Sequence, residues 1–105
     1  MVRRSPDDRL IAGNSPLLAL EVDILAEKAS ALGRAGEKVE KALASLRNLD
    51  RAAPERSQAL MAAADAVHAY FIQRELCGLR RHDGVIREYG IPREVLVRLG
   101  ARNAV

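Results

Sequence analysis

Apolar residues spaced by seven constrain this chain more than any other feature. Leu18, Leu25, Leu32, Val39 and Leu46 recur at that interval, and Val22, Ala29, Gly36 and Leu43 fill the complementary heptad position. A two-row pattern sustained over about four heptads marks a helix that seats another helix along one seam. Ser15 and Pro16 give that helix a sharp start. The serine hydroxyl can accept from an unpaired N–H of the first turn, and proline at the first helical position gives up no hydrogen bond. The pattern predicts a helix over residues 16–49. At a rise of about 1.5 Å per residue it would span about 50 Å. A compact globule of this size has a radius of gyration of only about 13 Å. The rest of the chain is too short to wrap such a helix, so an elongated molecule or a seam shared with another subunit is expected.

The middle of the seam is small. Ala29 and Gly36, flanked by Gly33 and Ala35, would admit a second helix closely. Each glycine within a helix costs about 1 kcal/mol relative to alanine. Close packing would offset that cost. The competing expectation is a break at Gly33–Gly36, which would allow a compact monomeric bundle.

Composition narrows the remaining choices. A chain of 105 residues makes one domain. Hydrophobic residues are 49% but aromatics only 3%, so Ala, Leu and Val must carry the core, which suits closely spaced helices better than strands. The formal charge of +3 is mild, with both signs interspersed and no polybasic block. Cys77 is alone, which excludes an internal disulfide and fits a reducing cytoplasm. No apolar run reaches the length of a signal core or a membrane span, so neither secretion nor membrane insertion is expected.

Residues 1–14 read as a flexible arm, with Leu10, Ile11 and Ala12 as a short apolar anchor. Residues 15–100 form the helical domain, and 101–105 are expected to fray. After the first helix, Asp50 or Pro54 punctuates the chain. A second helix is predicted from Glu55 to Gly78 or Arg81, with Leu60, Ala64, Val67, Phe71 and Ile72 largely on one face. The short connection makes the two helices an antiparallel hairpin. Two short helices follow. Asp83 is expected to cap the first, Gly90 to end it in the left-handed conformation, and Pro92 to open the second, which stops near Gly100. The fold class is thus all-α: a long hairpin plus two short C-terminal helices, pairing into a four-helix-bundle-like dimer.

Three constellations bear on function. In residues 82–99 two short helices about Gly90 have the apolar spacing of a helix-turn-helix. Arg87, Arg93 and Arg98 are its candidate nucleic-acid contacts. Against DNA binding, Ile86 stands where close helix packing wants a small residue, and the second helix offers no Asn, Gln, Ser or Thr for base edges. A tail folded onto the hairpin is the plainer reading. Asp65, His68 and Glu75 lie along one stripe of the second helix, but a bundle metal centre needs a second carboxylate–histidine pair that this chain lacks. His68 is expected to pack against Phe71 and Ile72 instead. Cys77 and His82 are five apart, off one helical face, and a packing role suits the thiol better than a nucleophilic one. Gln73, Arg74 and Glu75 interrupt the apolar face of the second helix, and at least one is expected to be partly buried. No catalytic, cofactor-binding or metal-binding residue emerges.

Several phrases of the chain resemble a small bacterial family known as a domain of unknown function. They are SPL at Ser15–Leu17, AEKAS at Ala26–Ser30, LGR at Leu32–Arg34, the run FIQRELCGLRRH at Phe71–His82, and YGIPREVL at Tyr89–Leu96. The likeness spans residues 15–100. It implies a natural helical domain, and with no established activity in the family it transfers no functional residue. The resulting expectation is a cytoplasmic, self-associating interaction or scaffold domain with no cofactor. It would act as a homodimer or with another helical protein, and DNA binding through residues 82–99 is the alternative.

Overall fold

The computed structural model describes residues 15–103, with side chains through residue 99, and every regular element among them is helical. In chain order these are α1 (Pro16–Arg47), α2 (Arg56–Leu76), α3 (Asp83–Tyr89) and α4 (Arg93–Asn103). The expected arm at 1–14 lies outside the described residues. By compactness the chain divides into residues 1–30 and residues 31–105.

Within residues 1–30 the described structure is the first part of α1. The Leu18 N–H donates to the Ser15 hydroxyl at 3.4 Å, and the Ala19 N–H donates to the Ser15 carbonyl at 3.0 Å. Ser15 therefore caps as expected. No residue from 19 to 30 is better than exposed, and Leu18 is half-buried.

Residues 31–105 hold the core. Helical structure runs unbroken through Gly33 and Gly36, so the expected alternative of a break there is not realised. The C-terminal part of α1 contributes Val39, Leu43 and Leu46, α2 contributes Ala63, Ala64, Val67 and Tyr70, and α3 contributes Val85. Ile91 and the α4 residues Val95 and Leu99 complete it. The closest backbone packing is between α2 and α4. Buried alanines at 63 and 64 suit such close approach.

Two helices end on glycine with the same geometry. At Gly78 (φ +86°) the Leu79 N–H donates to the Arg74 carbonyl and the Gly78 N–H to the Glu75 carbonyl. At Gly90 (φ +63°) the Ile91 N–H donates to the Ile86 carbonyl and the Gly90 N–H to the Arg87 carbonyl. These are Schellman closures, in which only glycine takes the left-handed position without strain. The expectation at Gly90 holds.

Other boundaries need correction. Asp83 is the first residue of α3, where its charge favours the helix dipole, while His82 takes the cap position without a side-chain bond. Glu55 holds the cap position of α2, also without one, so Asp50 does not cap. The last helix does not stop near Gly100 but runs to Asn103. A glycine ends a helix only where a left-handed turn follows, and among the described residues only Gly78 and Gly90 have positive φ.

Candidate functional site

The heptad seam divides into two environments. Gly36, Val39, Leu43 and Leu46 are buried among residues of α2, α3 and α4, and Leu32 and Ala35 are partly buried there. This half of the seam serves the chain's own core. Leu25 is 64% exposed, Val22 is 55% exposed and Ala29 is also exposed. Leu17, Leu20 and Ile24 form a second exposed apolar stripe, separated from the first by Glu21 and Lys28 on the helix surface.

Gly36 is used inside the chain. A Cβ built there would lie 2.8 Å from the Tyr89 hydroxyl and 3.6 Å from the Tyr70 ring. The two tyrosine rings meet edge to face at 5.6 Å. Burial, and next a hydrogen bond with Tyr70, pushes the Tyr89 phenol up to about 12. The expected close approach at Gly36 is thus made by the hydroxyl of Tyr89. Gly33 has nothing within 4 Å of its absent Cβ.

The segment 82–99 does form two helices about Gly90, as the helix-turn-helix reading expects. Arg87 and Arg93 are exposed and Arg98 is half-buried. Arg51, Arg93 and Arg98 border an open cleft of about 710 Å³, floored by Pro92 and Val97. Glu94 also lines it and is engaged elsewhere: its carboxylate accepts from both terminal nitrogens of Arg56, at 3.1 and 2.5 Å. The paired guanidinium holds the Glu94 carboxyl below its ordinary value. From the end of α1, Arg47 donates to the carbonyls of Tyr89 and Gly90 at 2.8 and 3.0 Å, satisfying the C-terminal end of α3.

His82, rather than His68, is the histidine that stacks on Phe71, with ring centroids 4.1 Å apart and planes within 4°. Its Nδ1 accepts from Arg74 Nε at 3.1 Å, which leaves the proton on Nε2, 3.0 Å from Glu75 Oε2. Arg74 also donates to the Arg81 carbonyl at 2.6 Å and lies over the Tyr70 ring. Gln73 and Arg74 are half-buried, as expected for this polar run, and Glu75 is exposed. Both ring nitrogens of His82 are therefore occupied, which leaves none to activate Cys77. The Asp65–His68–Glu75 stripe is not gathered, and among the described residues no group of three or more His, Cys, Asp or Glu is placed to hold a metal ion. Among them no helix is long and apolar enough to cross a membrane.

The profile of a family described as a family of unknown function (DUF6665) matches residues 5–105. The chain belongs to that family. The resemblance read from its SPL, FIQRELCGLRRH and YGIPREVL phrases is borne out, and it covers the whole of the described fold. Neither a curated protein nor a solved structure matches the chain.

Three structural roles escaped sequence reasoning: Arg47 capping α3, Arg56 pairing with Glu94, and Tyr89 filling the notch at Gly36. Each joins residues 38 to 53 positions apart, beyond the reach of any helical periodicity. The one available signal was the glycine itself, set in a seam position that otherwise holds larger residues.

Proposed function

We propose that the chain is a self-associating helical interaction module that dimerises through the first part of α1. The observation that carries this reading is the exposure of Val22 and Leu25 on a regular helix, continuous with the half-buried Leu18. At about 25 cal/mol per Å², covering even a few hundred square ångströms of apolar surface gains several kcal/mol against the cost of association. The hairpin expectation fits the same reading, since Gly36 of α1 lies against Tyr70 near the far end of α2. In this reading the protein binds rather than catalyses, and the cytoplasm is its compartment, where a lone Cys77 stays reduced.

Sedimentation of the full chain is the test. Wild type should be a dimer at micromolar concentration, and Leu25→Asp should be a folded monomer, because Leu25 contributes to no core. Leu20→Asp, on the other stripe, should still dimerise. A well-folded wild-type monomer at high micromolar concentration would overturn the reading. A dimer lost with Leu20→Asp but kept with Leu25→Asp would move the interface to the second stripe.

One observation favours a second reading, DNA binding by residues 82–99. Arg93 and Arg98 flank one cleft with Arg51, and Arg87 is exposed beside the turn. Phosphate contacts of this kind give steeply salt-dependent binding to duplex DNA. Arg93→Ala with Arg98→Ala should then weaken it and flatten the salt dependence, whereas binding insensitive to both would remove this reading.

A further inference from the structure

Resting on the self-association reading, we infer that the two α1 helices pair antiparallel, with Val22 of one copy beside the partner's Leu25. The seam rows Leu18/Leu25 and Val22/Ala29 are flanked unequally. Glu21 and Lys28 border one side, each one residue before a seam position. Ala19 and Ala26 border the other, each one residue after. In a parallel pair each flank meets the opposite flank of its partner. Glu21 would then face the partner's Ala26, and Lys28 the partner's Gly33, so no ion pair would form between the two helices on either flank.

An antiparallel pair brings like flanks together. Glu21 then meets the partner's Lys28, and twofold symmetry repeats the contact, giving two ion pairs on one side of the seam. On the other side Ala19 meets the partner's Ala26, and the absence of bulk there lets the backbones approach. Side-chain size agrees. Antiparallel layers join Leu18 with the partner's Ala29 and Val22 with the partner's Leu25, so every layer holds one leucine. Parallel layers would instead alternate Leu–Leu with Val–Val and Ala–Ala, leaving the last underfilled. Glu21, Lys28, Ala19 and Ala26 are all exposed, and the helix dipoles oppose favourably in this arrangement.

Charge reversal tests the arrangement on the full-length protein. Glu21→Lys places two like-charged contacts in its homodimer, and Lys28→Glu does the same with the opposite sign. Each variant alone should raise the dimer dissociation constant about tenfold at low salt. An equimolar mixture should return to within about twofold of wild type, because the heterodimer pairs opposite charges at both contacts. If both variants dimerise like wild type, the antiparallel register is wrong while self-association stands. If wild type is itself monomeric, the self-association reading fails first. A distance measurement keeps the inference testable should either variant unfold. Spin labels at Ser30→Cys in a Cys77→Ser background should be separated along the helix axis by about 20 Å in the antiparallel pair. Labels side by side, with no axial offset, would overturn it.

Discussion

Gly36 and Gly33 sit three residues apart in one helix, yet the same substitution should act on them with opposite sign. Alanine at Gly36 would drive its Cβ to 2.8 Å from the Tyr89 hydroxyl, which is held against Tyr70 and has little freedom to retreat. Overpacking of this kind costs about 1–3 kcal/mol and outweighs the gain in helix propensity. Gly33→Ala meets nothing and should stabilise by about 0.5–1 kcal/mol. Urea unfolding of the two variants, read as midpoints at equal slope, decides both. Tyr89 adds a signature at alkaline pH. Its phenol ionises near 10 in the unfolded chain and at about 12 in the fold. Its stabilising contribution is therefore complete below pH 10 and is lost as pH rises toward 12. Tyr89→Phe should blunt that loss in a pH series of unfolding curves.

At the scale of the element, Arg47 and Glu94 are the side chains to remove. Arg47→Ala withdraws both donors from the C-terminal carbonyls of α3 and should cost about 1 kcal/mol, measurable by thermal unfolding. The Arg56–Glu94 pair has its own pH dependence. Because the Glu94 pKa is lowered in the fold, its contribution is present above the ordinary carboxylate range and is lost as pH falls through the lowered value. Glu94→Gln should flatten stability across that acid range. The helices themselves were largely legible in sequence. Ser15–Pro16 marked a start, and Gly90 marked an end because a left-handed glycine followed by an apolar residue closes a helix locally. The start of α2 was read to within one residue, from Glu55, and that of α3 likewise; what the sequence misplaced was the caps. Asp50 and Asp83 are good capping residues by type, but here the backbone turns at Glu55 and His82, which make no side-chain cap. The helix-supporting contact of Arg47 could not be read at all, since its acceptors lie 42 and 43 residues away.

For the whole molecule, the seam was visible in the sequence but its division was not. Heptad spacing states that Leu18 through Leu46 share a face; it carries no information about which stretch of that face the other helices cover. The core residues of α2, α3 and α4 take Gly36 onward and leave Val22 and Leu25 exposed. Stability of a dimer built on the exposed stretch would depend on protein concentration. The unfolding temperature should rise with concentration for wild type, and stay constant for Leu25→Asp.

The notch at Gly36 also bears on how members of the DUF6665 family can diverge. The glycine and the Tyr89 hydroxyl occupy complementary volumes, so neither position can change freely while the other is kept. A sequence with alanine at the first position should carry phenylalanine at the second, and Gly36→Ala combined with Tyr89→Phe should recover much of what Gly36→Ala alone loses. Across 53 residues of intervening chain, those two sites are expected to drift as one character.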